Sequence, residues 1–208
     1  MKKICQLLSV ITLVVITFTG KAQTANEVLS TDIPITWFGF DFSHAKGVLL
    51  GTTPYEMKNN FIPAINQLFL QEPQKFDINK GFNKSKVTPD FTSVNKVNAN
   101  INIDNFEVTT KDQITPLTEA DIADMVKQYN ISDKQGVGLV FIVESLDKLS
   151  VEATLHLTFF SMPDGKIILT EKVYGKPGGF GVRNYWANTL FSILKGNTVK
   201  TLKAKYSK

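Results

Sequence analysis

Three groups of residues in this chain carry side chains suited to chemistry. The first is Asp41, Ser43 and His44, the acid, hydroxyl and imidazole of a hydrolytic triad packed together. Their spacing argues against that use. Neighbouring strand residues point to opposite faces, whereas a nucleophile and its base must reach one another. No G-x-S-x-G elbow accompanies them, so Asp41 reads as a buried or edge carboxylate bonded to backbone at a strand end. The second group is the two histidines, His44 and His156. A zinc site would need both, with carboxylates from afar, and no H-x-x-x-H or D-x-D pattern supplies it. His156 falls on the polar side of a strand, as a solvated or hydrogen-bonded imidazole. The third is Gly175-Lys176-Pro177-Gly178-Gly179-Phe180-Gly181, between a strand and a helix. Backbone amides and the helix dipole favour anions at such a place. The stretch lacks a Gly-Lys-Ser/Thr ending and the glycine spacing of a dinucleotide loop. The plainer reading is a turn that lets the next helix pack close to the sheet.

Arg183 stands beside that turn as the only arginine among 22 lysines. A planar guanidinium grips carboxylate or phosphate in a way that lysine does not. Close to Trp186, it is expected to bridge an anion or a buried carboxylate; the competing reading is that it merely survives in a lysine-rich composition. The candidate binding residues are therefore Asp41, Gly178, Gly179, Gly181, Arg183 and Trp186. No catalytic set, metal set or cofactor motif is found.

These side chains depend on elements that the sequence outlines. In Ile33 to Ser43, Phe38, Phe40 and Phe42 alternate with Trp37, Gly39 and Asp41, the pattern of a strand covered on both faces. Lys46 to Gly51 reads as a short second strand. Thr53, Pro54 and Glu56 open a helix with a capping box. Phe61, Ile65, Leu68 and Phe69 form its buried stripe, and Pro63 is expected to kink it. Residues 72–116, rich in Asn and Lys, read as irregular, with a short helix near Thr88-Pro89-Asp90 and an edge strand within Ile101 to Val108. Thr118 and Asp121 cap another helix, stapled by Leu117 and Ile122. Val137 to Glu144 reads as a central strand and Val151 to Phe160 as an alternating one. Pro163-Asp164-Gly165 turns the chain into Lys166 to Tyr174. A helix follows from Gly181 to Lys195 and ends at Gly196. The expected fold class is α+β: a mixed, largely antiparallel sheet with a C-terminal three-strand meander and packed amphipathic helices.

The N-terminus bears on compartment. Lys2 and Lys3, the apolar stretch Leu7 to Phe18 and Gly20-Lys21-Ala22 follow the charged, apolar, small-residue order of a secretory signal peptide. The apolar stretch is shorter than the roughly 20 residues a membrane span needs. Residues 1–22 are thus expected to be removed, leaving 23–208 as one α/β domain, exported to the periplasm or beyond, without a transmembrane anchor. Cys5, the only cysteine, would leave with the leader, so no disulfide is expected. Three lysines would leave too, lowering the formal net charge from +4 to +1. The pI near 9.0 is therefore poor evidence for nucleic acid, and none is expected as a partner. From Lys172 to Lys208 there are eight basic residues and no acidic one. That stretch reads as a solvated basic tail, or else as a surface for anionic lipid, glycan or protein.

The succession of strand, Pro-Asp-Gly turn, strand, glycine-rich connection and amphipathic helix over residues 118–197 resembles the small α/β domains of bacterial envelope assembly proteins. These are the family of the curli secretion-channel subunit, the penicillin-binding-protein activator lipoproteins and the amino-terminal domain of the Tol propeller protein. The resemblance implies a non-catalytic module that binds another envelope protein; a glycan is the other partner considered. This chain lacks the lipidated cysteine of the lipoproteins. The alternative function is a secreted hydrolase using carboxylates such as Asp41 or Glu144.

Overall fold

A computed structural model describes residues 23–206; the expected leader, residues 1–22, lies outside the described residues. Runs of β-branched and aromatic residues form the strands β1 (Ile35–Asp41), β2 (Lys46–Val48), β3 (Val87–Pro89), β4 (Glu107–Val108), β5 (Gly136–Asp147), β6 (Glu152–Met162) and β7 (Ile167–Gly175). The helices are α1 (Ala25–Leu29), α2 (Pro54–Glu56), α3 (Ile62–Gln71), α4 (Ile78–Phe82), α5 (Thr92–Asn98), α6 (Glu119–Lys127), α7 (Val182–Lys195) and α8 (Thr198–Tyr206).

The sheet corrects the expected fold class. β1 pairs in parallel with β3 and β5, and β2 pairs in parallel with β4 and β5. Five strands, β1 to β5, therefore run parallel, and the fold is α/β with a sheet curled into a half-barrel. The antiparallel meander of β5, β6 and β7 does form, but it is only one flank of that sheet. The direction follows from the connections. Each return to a parallel neighbour needs a crossover, and α2 to α4, α5 and α6 supply them.

A strand has two edges, and β6 occupies one edge of β5 along its whole length. On the other edge β1 and β2 lie end to end: β1 matches Val137 to Ile142, and β2 matches Ser145 to Asp147. The short strands β3 and β4 continue the pattern one column further out. The segment expected to be irregular thus supplies the outer edge of the sheet.

Helices cover both faces. The larger core joins α1, α3, α4, α7 and α8 to the side of the sheet carrying Trp37, Phe40, Phe141, Leu155 and Phe159. The smaller core sets Ile122, Met125 and Val126 of α6 against Phe38, Val140, Ile142 and Phe160. Capping boxes start the helices at Thr53 and Thr118 as the sequence indicates, and Leu117 packs with Ile122. Pro63 acts through a π turn rather than a bend alone. The turn Met57–Phe61 precedes α3, and the Ile62 amide bonds the Met57 carbonyl five residues back. Two further helices lie near the ends of the described residues. Residues 23–31 contain α1, which buries Val28 and Leu29, and the basic tail contains α8, which buries Val199 and Leu202.

Within β1 the alternation breaks. Trp37 pairs with Leu139 but Phe40 with Phe141, so one extra residue stands on β1. Gly39, at φ +83°, makes that bulge. Phe38 consequently joins the smaller core while Phe40 and Phe42 join the larger. Beyond β3 no strand among the described residues lies beside the outer edge of β1, and two buried asparagines take its place. Asn66 accepts from the Phe40 amide at 2.9 Å and donates to the Phe40 carbonyl at 3.0 Å. Asn98 accepts from the Phe42 amide at 2.7 Å. Backbone groups that would otherwise be buried unpaired are thereby satisfied.

Candidate functional site

A buried polar cluster lies on three adjacent strands. Val143 pairs with Leu155 and Ser145 with Thr154, which leaves Glu144 as the extra residue of a bulge in β5. Its carboxylate lies on the face carrying His156 and Lys172, the side opposite Val143 and Leu155. His156 Nε2 donates to Glu144 Oε2 at 2.8 Å, Lys172 Nζ to Oε1 at 2.9 Å, and the Leu117 amide to Oε2 at 2.8 Å. Glu144 is only 6% exposed. Burial alone would raise its pKa, but the bonds from His156, Lys172 and Leu117 outweigh that and bring it down to about 2. A cleft of about 220 Å³ opens beside it, walled by Lys111, Ile114, Thr154 and Tyr174. Three donors are directed at Glu144, so the carboxylate is an acceptor at neutral pH and not a free base.

Asp41 is fully buried on the opposite side of β1 from Phe40 and Phe42. The Tyr129 hydroxyl donates to its Oδ2 at 2.5 Å and the Ser43 amide to its Oδ1 at 2.7 Å. Burial raises its pKa, and these bonds offset that only in part. The same burial, with the Asp41 charge, raises Tyr129 well above the usual phenol range. Asp41 thus closes a turn at a strand end, held by Tyr129 and by Ser43. Among the described residues no group of three or more His, Cys, Asp or Glu side chains could hold a metal ion.

The glycine-rich connection serves close packing first. A Cβ on Gly175 would stand 2.3 Å from Thr189 Cγ2 and 2.8 Å from the Thr189 carbonyl oxygen, so α7 can approach β7 only over a glycine. The Gly178 amide bonds the Tyr185 carbonyl, and Gly181, at φ +79°, begins α7 without a side-chain cap. The proposed partners do not converge here. Arg183 donates from Nε to its neighbour Asn184 and forms no ion pair among the described residues. Trp186 is a core residue, 1% exposed, with its indole N–H directed to the Leu50 carbonyl at 3.4 Å. Asp41 lies at the end of β1, apart from this turn. Residues 178–183 thus hold a surface loop and a half-buried arginine, but no built anion site.

What the loop does present is Phe180, 96% exposed between Gly179 and Gly181, both in the left-handed region. The ends of β2, β5 and β7 lie at one end of the sheet, since Val48 matches Asp147 and Gly175 matches Ala153. The loops leaving them expose Leu49, Leu149 and Val151 as well. Leu49 and Val151 have positive φ, which is uncommon for Leu and an outlier for a β-branched residue. Asp147 fixes the β5–β6 turn by accepting from the Leu149 and Ser150 amides and the Ser150 hydroxyl. Lys148 reaches over the Tyr185 ring, tying this turn to α7. The sequence signal for this surface was Gly179-Phe180-Gly181, an aromatic residue between two glycines.

Comparison of the chain with family models, curated proteins and solved structures finds no match. No helix among the described residues is long and apolar enough to cross a membrane.

Proposed function

We propose that this chain is an exported, non-catalytic module of the cell envelope that binds a partner protein through the loops at one end of its sheet. The observation that carries the reading is Phe180, held almost fully exposed between two left-handed glycines, beside loops that expose Leu49, Leu149 and Val151. Exposed apolar side chains gathered in this way are characteristic of interaction sites. Aliphatic as well as aromatic groups favour a protein over a glycan. The reading agrees with the resemblance of residues 118–197 to envelope assembly domains and with the signal-like leader. The carboxylates considered for hydrolysis are engaged: Asp41 by Tyr129 and Ser43, Glu144 by three donors. That favours binding over catalysis.

The test is site-specific photo-crosslinking in the native envelope. A photoreactive residue at position 180 or 149 is expected to give a discrete adduct, and one at Lys127, near the Pro163-Asp164-Gly165 turn at the other end of the sheet, is not. Phe180→Ser should abolish the adduct formed from position 149. Equal labelling from all three positions, or an adduct indifferent to Phe180→Ser, overturns the reading.

A further inference from the structure

We propose that the cleft beside Glu144 is a binding site for a small organic carboxylate carried on a ring or a short apolar body. Its floor is a row across three strands, since Ser145 pairs with Thr154 and Thr154 with Tyr174. Ser145 is 2% exposed and Thr154 4%. Neither hydroxyl has a hydrogen-bond partner among the described residues. Neither is sealed off: among the described residues, the unpaired side-chain polar atoms without accessible surface are Trp37 Nε1 and Thr189 Oγ1. Both hydroxyls therefore open into the cleft that their residues line. Polar groups set so deep call for a partner that the chain itself does not supply. The facing wall is the segment from Lys111 to Pro116. It is pinned at one end by Lys111 Nζ on Glu152 at 2.9 Å, and at the other by the Leu117 amide on Glu144 at 2.8 Å. The walls are thus fixed before a ligand arrives.

The free hydrogen-bonding capacity of those walls selects the charge of the ligand. The Glu144 carboxylate already accepts from His156, Lys172 and Leu117. Lys111 and Lys172 each donate once to a carboxylate, which leaves further N–H groups on both. Two ammonium groups and two hydroxyls remain as donors, and a carboxylate offers roughly four lone-pair sites to receive them. Lys111 and Lys172 outweigh the single wall carboxylate, Glu144, which suits a monoanion. Glu144 and the neighbouring Glu152 would repel a phosphate dianion. Size and apolar surface select the body. The cleft measures about 220 Å³, which exceeds the roughly 150 Å³ that accommodates a benzene ring. Ile114, Pro116 and the half-exposed Tyr174 ring give that body something apolar to lie against. The site uses none of the exposed side chains of the proposed partner surface, so the failure of either assignment leaves the other intact.

The experiment is a titration of the folded chain with benzoate, benzamide and inorganic phosphate, followed by ¹H–¹⁵N NMR. Benzoate should shift the Ser145 and Thr154 amide signals saturably. Benzamide, which has the same shape without the charge, and phosphate should each bind about tenfold more weakly. Ser145→Ala combined with Thr154→Val should weaken benzoate about tenfold, with the spectrum elsewhere retained. Should that double variant not fold, Ser145→Ala alone should weaken it about threefold. Lys111→Met, at an exposed position, should weaken benzoate about tenfold as well. The absence of a saturable shift at Ser145 and Thr154 overturns the site. So does a shift that survives loss of the hydroxyls, which would report an adventitious ion on surface lysines only. Benzamide as tight as benzoate overturns the assignment to an anion, and phosphate as tight as benzoate overturns the assignment to a carboxylate.

Discussion

Glu144 Oε2 lies 2.8 Å from His156 Nε2, on the face that alternation from Ile142 and Val143 gives it, and the bulge that follows returns Leu146 to the larger core. Without that extra residue the same alternation would turn Leu146 away from the larger core. On its own face the Glu144 carboxylate meets an imidazole, an ammonium group and a backbone amide. These three donors are what make a glutamate tolerable in a central strand.

The first prediction concerns acid stability. Glu144 titrates near 2 in the folded chain against an ordinary 4.5. A depressed carboxylate pKa means that the unfolded chain binds the extra proton, so the contribution is complete above pH 4.5 and lost as the pH falls toward 2. The full contribution is up to about 3 kcal/mol. Glu144→Gln should lower stability by about 2–3 kcal/mol at pH 7 in urea unfolding, and the two proteins should converge near pH 2. A constant difference across that range would mean that the charge of Glu144 is not what His156 and Lys172 stabilise.

The second concerns the buried pair of Tyr129 and Asp41. Tyr129→Phe leaves Asp41 Oδ2 without its donor in a fully buried place. The expected cost at pH 7 is about 1–3 kcal/mol. Asp41 already has a raised pKa, and losing this donor raises it further. The cost should therefore shrink as the pH is lowered and Asp41 takes up a proton. Denaturant midpoints at pH 7 and pH 5 measure both effects, and a loss that grew on acidification would contradict the assigned direction.

The third separates backbone strain from crowding. Gly39 and Gly181 have nearly the same φ, +83° and +79°. A Cβ on Gly39 would stand 3.0 Å from Asn66 Oδ1 and 3.2 Å from the Phe91 ring, while one on Gly181 would meet nothing within 4 Å. Gly181→Ala should cost about 1 kcal/mol, from strain alone, and Gly39→Ala about 2–3 kcal/mol. Equal losses by calorimetry would show that the bulge of β1 yields to a side chain without disturbing Asn66.

Much of the fold can be read from local signals. Capping boxes at Thr53 and Thr118, the alternation of Leu155, Leu157 and Phe159, and the Pro-Asp-Gly turn all mark elements that form where they stand. The sheet's direction was illegible because β3 and β4 have three and two residues, too few to show a period. The polar cluster was half legible. Glu144 and His156 stand out as polar residues in apolar strands, but nothing in the spacing joins them to Lys172 or Leu117. Arg183 and Trp186 mislead for the opposite reason: nearness in sequence on a helix puts one at the surface and the other in the core.

Periodicity, caps and turn residues are short-range physics, and they were enough to specify most strands, most helices and the C-terminal meander from the chain alone. The parallel order of β1 to β5, the two bulges and the companions of Glu144 and Asp41 came from the assembled molecule. Their energies are long-range: a two-residue strand is held by its neighbour, and a bulge is stable only where Asn66 or His156 arrives from a distant segment to satisfy it.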